Sequence, residues 1–438
     1  MLTGSAAAGF ARLTNSTRIS GMLSTGAWGS IDQALVSATN FLTMVLVARS
    51  VGASAFGAFT LVYTVLLFFN SMQSALVTQP HNVLGATRWG EDYVRYTTTT
   101  AASQVALLCV ATLLALVAVV LARAEGWVVT PLLYAMPLSI IAWQLQEFGR
   151  RVLYTEGRLA AAVANDVISY AGQSLVVLSL WRLGSLTGVS ALWALAITSA
   201  LAATWGAWQI RSSLGRSIDL AVIRENWRYG KWLAGSEIVG DWLSGQFYLY
   251  LAAAILGVAS AGVLKAAVVL IGPLRILITP LQRVLPTSFA RVMASGGVVA
   301  LRRRSAKVFL ITTPALVCYC LLVAVCAAPL LRLLYGATYA DQAHVLTLYA
   351  AYSCLAYLPT VATAVLRARR ITRQIFLSNV YASLVALTCG WLVIHRFGVE
   401  GAVLGMIASA SCGGYLLWRA YYDALYRQPS GQARGMPQ

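Results

Sequence analysis

Residues 97–122 read TTTTAASQVALLCVATLLALVAVVLA, a run with no charged side chain. At 1.5 Å of rise per residue such a run crosses a hydrocarbon core as a helix. Stretches of similar character recur at 24–48, 58–79, 127–147, 160–181, 188–210, 232–256, 262–283, 307–331, 345–366, 376–395 and 399–422. The composition agrees: 59% of the 438 residues are apolar and only 11% charged, against about 25% charged in soluble domains. The pattern predicts an all-α membrane protein of about twelve transmembrane helices, with no stretch left over for a soluble domain.

The net charge of +18 raises nucleic acid as a partner, but the Lys and Arg residues sit in short connectors rather than on one patch, so none is expected. Assigned alternately to the two sides of a membrane, and with Arg419 at the end of the last helix counted with the C-terminal tail, the connectors divide the basic residues 25 to 5, leaving Lys265 and Arg275 inside a helix. Positive charge in short loops is retained in the cytosol, which predicts cytosolic termini. Residues 1–22 lack the apolar core and small-residue site of a removable signal peptide. The expected organisation is a cytosolic tail (1–23), a six-helix bundle (24–210), a cytosolic amphipathic linker (211–231), a second six-helix bundle (232–422) and a cytosolic tail (423–438). The loops on the outer side are short, leaving no room for an external catalytic domain.

An internal repeat underlies the two bundles. The segment around Gly52 and Gly57 matches that around Gly257 and Gly262 at an offset of 205 residues, and at the same offset Asp32 falls on Glu237. Further on, Val152-Leu153 with Arg158 and Asp166 corresponds to Val365-Leu366 with basic residues and Asn379, and Gly188-Val189 to Gly398-Val399. Units with an even number of helices keep the same orientation, so the halves are expected to be related by a pseudo-two-fold axis along the membrane normal, with a substrate site between them.

Asp32, Asp166, Glu237, Asp241, Lys265 and Arg275 lie within apolar helices. A charge at such a place costs about 2.5–3.5 kcal/mol on insertion scales, so these groups either line a cavity or pair with one another. The depths of Asp32, Glu237, Asp241 and Arg275 permit contact, and Asp241 with Arg275 is the pair expected. Glu147, Arg150, Arg151 and Arg158 sit at a helix end, where they serve orientation by snorkelling or, with Asp166, form a cytosolic gate. Arg302, Arg303, Arg304 and Lys307 read as a topology signal that also attracts anionic lipid. The seven cysteines and three histidines show no ligand spacing, so no metal site is expected. Without a nucleotide loop or a nucleophile paired to a histidine, the chain is expected to be neither an enzyme nor a cofactor binder.

Three segments carry a family resemblance: Arg49-Ser-Val-Gly-Ala-Ser-Ala-Phe-Gly-Ala-Phe59, Arg150-Arg-Val-Leu-Tyr-Thr-Glu-Gly-Arg158 and Ala328-Pro-Leu-Leu-Arg-Leu-Leu-Tyr-Gly-Ala-Thr-Tyr339. With the 6+6 layout, the chain resembles the oligosaccharide-flippase branch of the multidrug/oligosaccharidyl-lipid/polysaccharide exporter superfamily. The resemblance implies an alternating-access flippase in a bacterial plasma (inner) membrane. Such a protein moves undecaprenyl-diphosphate-linked oligosaccharide to the outer face, beside a polymerase and other glycan-assembly proteins. It implies Arg275 and Lys265 as binders of the diphosphate and Asp32, Glu237 or Asp241 as the coupling acid. The alternative is a cation-coupled drug antiporter of the multidrug and toxin extrusion type, which shares the layout and has an acidic residue on its first helix; a mid-membrane Arg275 opposes it, since it repels cationic drugs.

Overall fold

The computed structural model describes residues 34–427. Among them the regular structure is helical, with no strand, as a bilayer that offers the backbone no hydrogen-bond partner demands. The helices are α1 (Ala34–Ser50), α2 (Ala53–Thr87), α3 (Gly90–Ala124), α4 (Met136–Thr155), α5 (Leu159–Arg182), α6 (Gly188–Gln209), α7 (220–256), α8 (Val258–Val325), α9 (Ala327–Tyr335), α10 (Ala343–Ala368) and α11 (Thr372–Tyr426). Three of them widen into π-helix: α2 at Ser74–Thr78, α5 at Val167–Ala171 and α7 at Ile238–Gln246.

Eight stretches are long and apolar enough to cross a membrane by length and composition, and the chain is a multi-pass membrane protein. The expected count of twelve is not reached on that measure. α4 carries Gln144, Gln146, Glu147, Arg150 and Arg151, and all but Arg151 are buried against protein. In α7 only the stretch Phe247–Leu256 is apolar, and the described part of the first predicted helix is limited to Ala34–Ser50. α11 runs together two predicted helices, interrupted only at Gly398 (φ 61°, ψ −139°), and counts once; α8, interrupted at Gly297 (φ 66°, ψ −165°), also joins two but supplies two of the eight stretches. The N-terminal tail, the start of the first predicted helix and Asp32 lie outside the described residues, as does most of the C-terminal tail.

Contacts divide the chain into two compact units: Ala34–Ser50 with Val62–Ala234, and Val51–Leu61 with 235–427. In the first, α4 approaches α6 closely, a Cβ on Gly149 standing 3.7 Å from the Gly206 Cα. Asn165 of α5 donates to the Ala202 carbonyl at 2.6 Å. The expected linker is not a separate surface helix. From Leu220 it runs without a break into α7, fastened by Arg88 on Glu225 at 2.7 Å and by the Tyr96 hydroxyl on Asn226 at 2.7 Å. In the second unit Tyr248, Leu264, Val345, Ala402 and Met406 form a core, and Tyr248 shares a hydrogen bond with Ser409 at 3.0 Å.

The repeat is written in the backbone. α4 ends with Gly157 at φ 72° and the Arg158 amide on the Leu153 carbonyl at 2.9 Å; α10 ends with Arg370 at φ 61° and the Ile371 amide on Leu366 at 2.8 Å. Both are left-handed helix caps closed by a six-to-one hydrogen bond, 213 residues apart. Arg370 is the one non-glycine with positive φ among the described residues, so the repeated cap is held even where the side chain disfavours it.

The glycines of the other repeat meet each other. A Cβ on Gly57 would lie 1.9 Å from the Val258 carbonyl oxygen, and one on Gly262 would lie 2.6 Å from that of Ala53. The contact is reciprocal at the 205-residue offset, Ala53 corresponding to Val258 and Gly57 to Gly262. Only glycine allows two helix backbones this close. Beside it Phe56 packs on Tyr335, ring centroids 6.4 Å apart, and Tyr335 on Tyr339 at 5.5 Å. Burial pushes the Tyr339 phenol up to about 12. Two of the three segments that carry the family resemblance therefore meet in one packing cluster of the second unit.

Candidate functional site

In the first unit α4 and α5 bring Glu147, Arg150, Arg151 and Asp166 together. The Arg150 guanidinium lies 3.1 Å from a Glu147 oxygen and 3.3 Å from an Asp166 oxygen. Arg151 holds the other Glu147 oxygen at 2.6 Å. Glu147, Arg150 and Asp166 are buried, Asp166 fully, and Gln146 donates to Asp166 at 2.8 Å. Two carboxylates and two guanidinia sum to zero charge, and that neutrality is what makes their burial tolerable. Arg158 stands apart, on Glu156 at 3.0 Å and on the Gln209 carbonyl at 2.9 Å.

Neutral groups extend this cluster. Gln73 of α2 donates to Gln104 of α3 at 3.0 Å, and Gln104 to Gln144 of α4 at 3.1 Å. Thr39 of α1 donates to the Tyr170 carbonyl at 3.0 Å, and Gln173 to Thr43 at 3.2 Å. His81 lies between Thr97 and Thr155, at 3.3 and 3.2 Å. Five helices of this unit thus share a buried polar interior that a search for charged residues alone does not find. The one sequence mark of it is the run Gln144, Gln146, Glu147, Arg150 on a single helix.

Removing one member should be costly. Asp166→Ala leaves Arg150 buried with half its counter-charge and is expected to lower stability by about 3–5 kcal/mol, read as loss of monodisperse protein on heating in detergent. Replacing both Arg150 and Asp166 by Met and Leu should recover part of that loss. An Asp166→Ala variant as heat-resistant as the parent would show that the ion pair contributes nothing.

In the second unit Lys265 of α8 is buried and Arg275 of the same helix is exposed. An exposed guanidinium in a membrane helix must meet water or an anion, because lipid would penalise it by several kcal/mol. Glu237 is half-buried at the point where α7 widens into its π-helical stretch, a feature frequent at functional sites. The Asp241 side chain lies outside what the structure describes, and with it the predicted Asp241–Arg275 pair.

The same unit holds a polar cleft of about 350 Å³, lined among others by Gly240, Gln282, Thr360, Thr363, Arg367 and Asn379. In the sequence Arg367 reads as one basic residue of a connector and Asn379 as the repeat counterpart of Asp166, and the other four stand out neither by charge nor by spacing.

A family model described as polysaccharide biosynthesis protein matches residues 46–344. The chain belongs to this family. Solved structures place this polysaccharide biosynthesis protein in a known fold. An inward-facing multidrug resistance MATE family transporter of the MOP superfamily is 13% identical with a TM-score of 0.74, covering 90% of this chain and 96% of its own. The lipid II flippase MurJ in an inward closed conformation is 14% identical with a TM-score of 0.65, covering 89% and 86%. A MOP superfamily transporter from Pyrococcus furiosus Vc1 (DSM3638) is 13% identical with a TM-score of 0.63, covering 93% and 96%. At such identities the likeness shows the fold alone. A search among curated protein sequences found no match. The MOP grouping is the multidrug/oligosaccharidyl-lipid/polysaccharide exporter superfamily, so family and fold agree with the resemblance read from the three segments.

Proposed function

We propose that this polysaccharide biosynthesis protein is a non-enzymatic flippase that carries an undecaprenyl-diphosphate-linked oligosaccharide from the cytosolic to the outer face of a bacterial plasma membrane. The observation that carries the reading is the pair of cations on α8 in a member of this family. A diphosphate is costly to dehydrate, and a guanidinium that forms paired, charge-assisted hydrogen bonds is the side chain best suited to hold it inside a membrane. In this reading α8 and α11 each cross twice, turning at Gly297 and Gly398, while α1, α4 and α7 cross with their polar faces turned inward. That gives twelve spans as two six-helix bundles with cytosolic termini, working by alternating access. Asp32, Glu237 or Asp241 takes up a proton or cation and couples the gradient to turnover. A polymerase and other glycan-assembly proteins receive the product on the outer face.

The test is complementation of a strain that lacks its own glycan flippase. Expression of this chain should restore surface glycan to a level set by the amount of protein in the membrane. Full membrane insertion with no glycan, together with raised resistance to cationic drugs, would replace this reading with the antiporter.

A further inference from the structure

The two copies of the 213-residue repeat do different things at the same place. Counting from the matched caps, Glu147 corresponds to Thr360, Arg150 to Thr363 and Asp166 to Asn379. In the first unit these positions hold three buried, mutually paired charges that fill the space between α4 and α5. In the second unit the corresponding side chains are shorter and neutral, and all three line the polar cleft. Among the described lining residues the one cation is Arg367, one turn beyond Thr363. Among the described residues the side chains of Arg367, Asn379 and Gln282 have no hydrogen-bond or ion-pair partner. Gly240 keeps the wall on the α7 side thin, a Cβ there standing 3.6 Å from the Asn379 amide nitrogen.

We propose that this cleft is a binding site for a sugar phosphate group, with Arg367 on the phosphate and Thr363, Asn379 and Gln282 on the sugar hydroxyls. A structural ion-pair site has been emptied of charge in one repeat and retained in the other, which is the pattern expected when one copy packs and the other binds. Hydroxyls and side-chain amides that donate and accept suit a polyhydroxylated ring, whereas a single guanidinium suits one anionic group rather than a bare divalent cation. A volume of about 350 Å³ falls within the range of small-molecule sites. The inference rests on the flippase reading for its biological source, a lipid-linked glycan, but the chemistry is shared with a free sugar phosphate. The cleft is thus a second contact for the head of the substrate, separate from Arg275.

The experiment is calorimetric titration of the full chain in phosphatidylcholine nanodiscs with glucose 1-phosphate, glucose and inorganic phosphate. The expected result is saturable binding of glucose 1-phosphate at least about tenfold tighter than either fragment. Arg367→Gln should weaken glucose 1-phosphate by about tenfold or more, Arg367→Lys by less, and Asn379→Leu should weaken glucose 1-phosphate without strengthening phosphate. Equal affinity in the parent and Arg367→Gln, no binding at all, or inorganic phosphate binding as tightly as the sugar phosphate would each overturn the proposal. Exchanging the nanodisc lipid for phosphatidylglycerol separates the sources. Competition by that lipid, undiminished in Asn379→Leu, would mean a lipid-phosphate site and would overturn the sugar assignment. If the chain restores glycan export while the titrations fail, the cleft proposal falls alone. If export itself is not restored, the flippase reading falls.

Discussion

Arg275→Ala should abolish glycan export while the protein remains in the membrane at parental levels, and Arg275→Lys should retain a measurable part. The guanidinium is exposed on a stretch of α8, Val258–Arg275, whose one other charge is Lys265. Among the described residues the guanidinium has no buried counter-charge, so stability should change little. What disappears is a pair of charge-assisted hydrogen bonds to an anion, worth about 1.5–3 kcal/mol each, enough for a loss of about a hundredfold in transport. Lysine keeps the charge but offers no planar fork, hence the partial retention. Surface glycan measured by lectin binding, normalised to membrane protein, decides the matter. Undiminished export in Arg275→Ala would remove the diphosphate role, and lost export with lost protein would mean that the residue is structural.

The sequence yields helix number and charge more readily than contact. Asp166 is visible as an intramembrane charge and Glu147, Arg150 and Arg151 as charges at a helix end, but that Arg150 bridges two carboxylates on neighbouring helices depends on the packing of α4 on α5. Gln73, Gln104 and Gln144 escape a search based on charge because a neutral amide is an ordinary guest in a long helix until three of them converge. The continuity of the expected linker with α7 is hidden for a related reason: Arg224, Glu225, Arg228 and Lys231 look like a solvated connector. There is no proline between Leu220 and Leu256, however, and Arg88, just after α2, and Tyr96 of α3 supply partners. The repeat was legible as equivalence, from Gly52, Gly57, Gly257 and Gly262. Self-similarity says which residues correspond, and nothing in it says that Gly57 and Gly262 touch. The cleft was illegible because its walls are threonine, asparagine and glutamine, which carry no charge pattern, and its meaning emerges only when set beside the filled site of the other repeat.

Substituting Gly57 should be among the most damaging changes in the chain. Alanine there would place its Cβ 1.9 Å from a backbone oxygen of Val258, and backbone cannot rotate out of the way as a side chain can. The start of α2 would have to move away from the start of α8. That movement would break the reciprocal contact of Gly262 with Ala53 and disturb Phe56 on Tyr335. Overpacking of this kind typically costs about 1–3 kcal/mol, and leucine should exceed alanine. Gly52 is the internal control, because a Cβ at that position meets nothing within 4 Å, so Gly52→Ala should behave as the parent. Thermal unfolding in detergent followed by size-exclusion chromatography should therefore rank the parent and Gly52→Ala first, then Gly57→Ala, then Gly57→Leu. Gly262→Ala should fall beside Gly57→Ala, since the two glycines play the same part in one contact. If Gly57→Leu unfolds no earlier than the parent, α2 and α8 do not cross at van der Waals distance and the reciprocal contact is absent from the folded protein.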